Sequence, residues 1–270
     1  MRPKADSFSI KEAVRRCLPR TIKGHCILRG RLRGSVIVTS WHDYPGAILG
    51  RTERPLLEWF LQNVSEGDTW LDVGAHYGFT AIALSRLTGN SGRVLAFEPV
   101  LSSAACILKT REANHLHNLT IIPVALDDRG PLQTVQMPSV RGMVDSTIPS
   151  ETQHEQILTA SLDVIWPSLC GADARVDGIK IDVQGMECQV LSGMRNVLKR
   201  WSPKLVVEFH AGVNRNLILD FLGALGYSTK PEPIDSDQPT GLILDDHSYA
   251  FNPLGRPCES LSTQFSTRQN

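Results

Sequence analysis

Five short apolar runs in the 270-residue chain carry an acidic residue at or next to their C-terminal ends. They are "TWLDVGA" (69–75), "RVLAFEP" (93–99), "LTIIPVAL" (119–126), "GIKIDVQG" (178–185) and "KLVVEFH" (204–210), and the acids are Asp72, Glu98, Asp127, Asp182 and Glu208. Runs this short and this rich in Val, Ile and Leu read as strands buried on both faces. In an open sheet of such strands, ligands lie outside the carboxyl ends. A row of carboxylates at those ends would attract a cation and repel paired phosphates.

The turn after the first run reads Asp72-Val-Gly74-Ala75-His76-Tyr-Gly78. It lacks the G-x-G-x-x-G spacing through which a backbone approaches a pyrophosphate, which argues against a nicotinamide-dinucleotide enzyme. S-adenosylmethionine meets the requirement, because it brings a sulfonium and an ammonium and no phosphate. Glu98 then stands 24 positions beyond Gly74, where an acidic residue accepts from ribose hydroxyls. His76 fits a backbone with positive φ, which His, Asn and Asp adopt more readily than other non-glycine residues.

Helical patterns separate most of the strands, predicting a doubly wound, mostly parallel α/β sheet. One helix is expected from Pro55, with Leu56, Leu57, Phe60, Leu61 and Val64 on one face and Gly67 as its stop. Others are expected over 78–88, over 102–115 with a serine cap, over 186–200 as a single helix, and over 213–225. "SVIVTSW" (35–41) reads as a strand and "HDYPG" (42–46) as a turn. Residues 138–156 read as a flexible loop, "LQTVQM" as a hairpin strand, and "TGLILDD" (240–246) as a strand closing the sheet. The domain reading is a basic N-terminal arm (1–34), a small cap (35–54), a donor-binding domain (55–250) and a disordered tail (251–270).

The 28 basic and 28 acidic residues cancel, so the chain as a whole has no polyanion-binding signature. The basic residues nevertheless crowd at the start, where Asp6 and Glu12 are the acids within 1–34. The six cysteines include no C-x-x-C pair, and no apolar run reaches 18 residues. A cytoplasmic protein with reduced thiols is expected.

The chain resembles the FkbM-type family of class I S-adenosylmethionine-dependent methyltransferases. The similar stretches are "LDVGAHYGFTAIALSR" (71–86), "VLAFEPV" (94–100), "VAL" (124–126), "SLD" (161–163), "IKIDVQGMECQVLSGM" (179–194) and "LVVEFH" (205–210). The resemblance implies a seven-stranded class I methyltransferase sheet and methyl transfer to oxygen, often on a sugar or natural-product hydroxyl. The donor site would comprise Asp72, Gly74, Ala75, His76, Gly78, Glu98, Ala125, Leu126, Asp127 and Asp182. Two positions depart from the family pattern: His76 replaces a usual Asn, and Gln184 replaces a usual Glu.

Transfer from a sulfonium is an in-line displacement, so alignment does much of the work. The acceptor hydroxyl must still lose a proton to a base within ~3 Å. Asp182 is the first candidate and His210 the second, with Lys180 placed to pair with Asp182. Asp163, Asp182, Glu187 and Glu208 could collect a divalent ion, but none is predicted. The partner expected is a small hydroxylated acceptor. A non-catalytic donor-binding protein, and an RNA methyltransferase using the basic arm, are the alternatives.

Overall fold

The computed structural model describes residues 17–140, 143–144, 154–239 and 241–254. In chain order the elements begin with β1 (Lys23–Cys26), β2 (Val36–Thr39), α1 (Pro45–Leu49), α2 (Arg54–Asn63), β3 (Thr69–Val73), α3 (Phe79–Thr88) and β4 (Arg93–Phe97). Next come α4 (Leu101–Ala113), β5 (Leu119–Ile122), β6 (Ala125–Leu126), β7 (Gln133–Val140), β8 (Met143–Val144), β9 (His154–Ala160) and α5 (Leu162–Cys170). The rest are β10 (Gly178–Ile181), α6 (Glu187–Ser192), α7 (Arg195–Trp201), β11 (Lys204–Phe209), α8 (Arg215–Ala224), β12 (Glu232–Pro233) and β13 (His247–Phe251). Among these described residues no helix is long and apolar enough to cross a membrane.

Seven strands form the central sheet in the order β12-β13-β11-β10-β3-β4-β5. The five from β11 to β5 are parallel, and β13 and β12 extend the far edge antiparallel. From β3 the chain winds outward through β4 to β5, then returns to lay β10 on the other side of β3 and winds outward again to β11. The switch point therefore lies between the ends of β3 and β10, and a crevice opens there.

Alternation along the strands sorts side chains between two cores. Leu71, Val73, Ile179, Ile181, Leu205 and Val207 pack on one face with α5 to α8. Trp70 and Val206 pack on the other with α2, α3 and the N-terminal segment. By the same parity Asp72, Lys180 and Glu208 project toward the N-terminal face, and Lys180 pairs in register with Asp72 and Val206. Trp70 lies flat over Gly178, where an added Cβ would sit 2.2 Å from its ring.

Several expectations need correction. Residues 119–126 form two strands, because Pro123 cannot donate to a ladder; β5 stays in the main sheet and β6 pairs with β9. The 138–156 stretch is not simply a loop: β7 and β9 pair over six residues and, with β6 and β8, make a second four-stranded sheet. Residues 141–142 and 145–153 lie outside the described residues. Helix α5, with Pro167 inside it, was not among the expected helices.

The 186–200 helix is two helices, broken where Gly193 meets the main chain; a Cβ there would lie 1.9 Å from the Asp127 carbonyl oxygen. Helix α4 has no serine cap, and Glu98 Oε1 instead accepts from the Val100 N–H at 2.9 Å. Helix α2 ends at Asn63, ahead of Gly67, leaving Leu61 exposed. Within "TGLILDD", residues 241–246 form no strand, and β13 after them fills that place with Phe251 fully buried, inside the stretch expected as tail. The tail beyond Leu254 is outside the described residues. The arm 1–34 is also divided: β1 pairs with β2, Ile27 and Leu32 are buried, and only 1–16 lie outside the described residues. Pro45 opens α1 where a turn was expected.

Candidate active site

A cavity of about 320 Å³ occupies the switch-point crevice. Nine of the expected site residues line it: Gly74, Ala75, His76, Glu98, Ala125, Leu126, Asp127, Lys180 and Asp182. The cap contributes Asp43, Tyr44, Thr52 and Glu53, which the sequence reading missed. β11 contributes Glu208, and the turn after β10 contributes Gln184.

The first turn is shaped by backbone demands. Gly74 has φ 81°, and a Cβ there would lie 1.8 Å from the Asp182 carbonyl oxygen, so only glycine lets β3 and β10 close. His76 has φ 50°, and its N–H donates to Glu98 Oε2 at 2.7 Å. Its ring lies against Tyr44 and Tyr77, with centroids 5.1 Å and 4.2 Å away. Both Glu98 oxygens thus accept from backbone N–H groups of the loops they join. Burial outweighs those two hydrogen bonds and pushes the Glu98 carboxyl up to about 8.

Three expected residues do not reach the cavity. Asp72 is fully buried behind it, accepting from Thr80 Oγ1 at 2.7 Å and facing Lys180 Nζ at 3.5 Å. It anchors the floor beneath Lys180. Gly78 caps α3 at φ 85° and packs against Ile107. His210 is buried beneath Gln184, with Gln184 Nε2 2.8 Å from its Nε2.

Lys180 is the buried hub. Its Nζ donates to the Gly74 carbonyl at 3.3 Å and to Asp182 Oδ2 at 3.2 Å, and it lies 3.5 Å from Asp72. Burial disfavours its ammonium, but the charges of Asp182, Asp72, Glu53 and Glu208 more than compensate and hold it protonated. Burial would raise Asp182, yet Lys180 and His210 together hold it below the usual carboxylate range. Asp182 Oδ1 makes no hydrogen bond among the described residues and faces His210 Nε2 at 3.5 Å.

His210 collects negative charge from three sides. Glu187 Oε1 lies 2.7 Å from Nδ1, and Asp182 and Glu208 lie 3.5 Å and 3.6 Å from Nε2. Burial would lower the imidazole, but the Glu187 hydrogen bond and these charges push it up to about 9. Glu208 moves the same way: burial, then repulsion from Asp182 and Glu53, pushes it up to about 8. Asp182, Glu208 and His210 bring one ligand-type atom each to within 4.8 Å of the others. Asp163 belongs to no such cluster among the described residues; its oxygens accept from Asn196 and Val197 N–H at the start of α7. Glu187 holds His210.

The sequence could have pointed to Glu53, an acid directly ahead of a Pro-initiated helix, but nothing local says that the cap folds over the strand ends. The arrangement can hold a cationic ligand over the β3 and β10 turns and accept a proton from a second ligand beside Asp182.

Comparison with known proteins supplies the remaining observation: residues 72–229 match the FkbM methyltransferase domain. The chain belongs to this family. A further similarity is to the hexuronic acid methyltransferase AglP of Haloferax volcanii, 26% identical over 189 residues, or 70% of this chain and 75% of that protein. Among solved structures the FkbM-family chain is similar to methyltransferase FkbM of Methylobacillus flagellatus, at 17% identity and TM-score 0.43. That match covers 72% of this chain but half the length of the other. It is also similar to the O-methyltransferase TomG of Streptomyces achromogenes, solved with S-adenosylmethionine, at 15% identity and TM-score 0.46 over 74% of this chain and 79% of that one.

Proposed function

We propose that this FkbM-family chain transfers the methyl group of S-adenosylmethionine to a hydroxyl oxygen of a small sugar-type or natural-product acceptor. The observation that carries the reading is the cavity at the switch point, with carboxylates on its walls and Lys180 already committed to Asp72 and Asp182. A sulfonium suits such a cavity, whereas a pyrophosphate would meet the ionised Asp182 with no phosphate-binding glycine turn to hold it.

In this reading Glu98 receives the ribose, the Gly74–His76 turn and the β6 residues Ala125 and Leu126 flank the adenosine, and Asp127, paired with Arg129 at 2.8 Å, borders it. Asp182 accepts the proton released as the acceptor oxygen attacks the methyl carbon and the sulfonium leaves as a neutral thioether. Lys180 and His210 keep Asp182 ionised and aimed; His210 acts through Asp182, because it does not line the cavity. The AglP similarity supports a sugar-type acceptor. No step in this reading requires a metal.

The test is turnover. The purified chain is incubated with methyl-labelled donor and fractionated small molecules from a lysate, and the labelled product is identified by mass spectrometry and NMR. A methyl ether supports the proposal. Tight donor binding with no transfer to any fraction would instead indicate a donor-binding protein without catalysis.

A further inference from the structure

One end of the cavity gathers more acidic side chains than a methyl donor can use. We infer that the acceptor is a polyol bearing no negative charge, a neutral or amino sugar and not a sugar acid. This rests on the methyl-transfer reading and names the substrate class of that site.

Three carboxylates converge away from the Glu98 end: Glu53 from the cap, Asp182 after β10 and Glu208 at the end of β11. They share one neighbourhood in which burial, then the charge of Asp182, pushes Glu53 and Glu208 toward their protonated forms, so further negative charge is disfavoured there. Among the described residues, the two buried cations beside these acids are already engaged. Lys180 lies between Asp182 and Asp72, and His210 lies among Glu187, Asp182 and Glu208. Lys180 is the one Lys or Arg among the described residues lining the cavity. Even a bound sulfonium offsets a single charge.

Carboxylates with open lone pairs accept hydrogen bonds from vicinal hydroxyls, and an ammonium would pair with them outright. A carboxylate on the acceptor would find no guanidinium fork among those lining residues and would approach like charge. Such juxtaposition lowers binding by on the order of tenfold or more. This chain would then differ in substrate charge from its 26% identical relative, whose name specifies a hexuronic acid.

The experiment compares three matched methyl pyranosides, a hexoside, its 2-amino derivative and the corresponding hexuronide, with labelled donor in buffer containing EDTA. The expected result is kcat/KM at least about tenfold higher for the hexoside or amino hexoside than for the hexuronide. Assayed at about pH 9, above the Glu208 value of about 8, Glu208→Gln and, separately, Glu53→Gln should narrow that ratio by raising the relative rate on the hexuronide. A hexuronide methylated on a hydroxyl as fast as the neutral sugar would overturn the inference while leaving O-methylation standing, and so would a ratio unmoved in both variants. Transfer to none of the three by a donor-bound protein overturns it too. A product carrying the methyl on nitrogen or as a carboxylate ester instead contradicts the hydroxyl reading itself, and NMR of the product separates these outcomes.

Discussion

Glu187 Oε1 and His210 Nδ1 lie 2.7 Å apart with both side chains buried, so Nδ1 keeps its proton toward Glu187 while Nε2 lies 3.5 Å from Asp182 Oδ1. Glu187→Gln should therefore lower the His210 pKa from about 9 toward its ordinary range. NMR titration of the His210 ring reads this directly. An unchanged titration in a folded variant would show that Glu187 does not govern the ring, and Asp182→Asn, by contrast, should mainly lower turnover.

Lys180 stitches β3 to β10 through Asp72, Asp182 and the Gly74 carbonyl. Lys180→Met leaves Asp72 buried without its cation, and breaking such a pair costs about 3–5 kcal/mol. Urea unfolding should report a loss of that size. A loss below about 1 kcal/mol would place the carboxylate's compensation elsewhere.

Glu98 ties the two loops that frame the proposed adenosine site by accepting from His76 and Val100 N–H. Glu98→Ala removes both acceptors and the ribose partner together, and donor affinity should fall by about a hundredfold or more. Calorimetric titration with S-adenosylmethionine checks this. His76→Asn should bind the donor much like the parent, because asparagine tolerates the φ of 50°.

Stability should fall with rising pH. Glu98 and Glu208 at about 8 and His210 at about 9 all bind protons more tightly folded than unfolded. Their contribution is full below the unfolded values and is lost as pH rises through the folded ones. Asp182, held low, works the other way, losing its contribution only as pH falls below the usual carboxylate range. Scanning calorimetry of the ligand-free protein should show a midpoint that declines from about pH 6 to about pH 9; a midpoint rising across that window would contradict these directions.

EDTA should leave turnover unchanged. The Lys180 ammonium and the protonated His210 already supply positive charge to Asp182 and Glu208. Loss of activity on chelation, restored by added magnesium or manganese, would assign the cluster to a metal.

Much of this protein could be read locally. The five apolar runs, the glycines at 74 and 78 and the acids at the strand ends follow from short-range rules: buried parallel strands are continuously apolar, and a tight βα turn needs positive φ. His76 was legible for the same reason, since φ is a property of one residue and its neighbours.

What tertiary structure decided was the direction and distance of side chains whose partners are remote in sequence. Asp72 reads as a ligand-facing acid, yet strand parity and Thr80 turn it into the floor under Lys180. His210 reads as a base, yet Glu187 and Gln184 enclose it below the cavity. Glu53 gains its place only because α2 and the cap fold over strand ends far along the chain. Local propensity is set within a turn or two of chain, whereas burial, like-charge crowding and the pKa values they impose exist only once distant segments exclude water together.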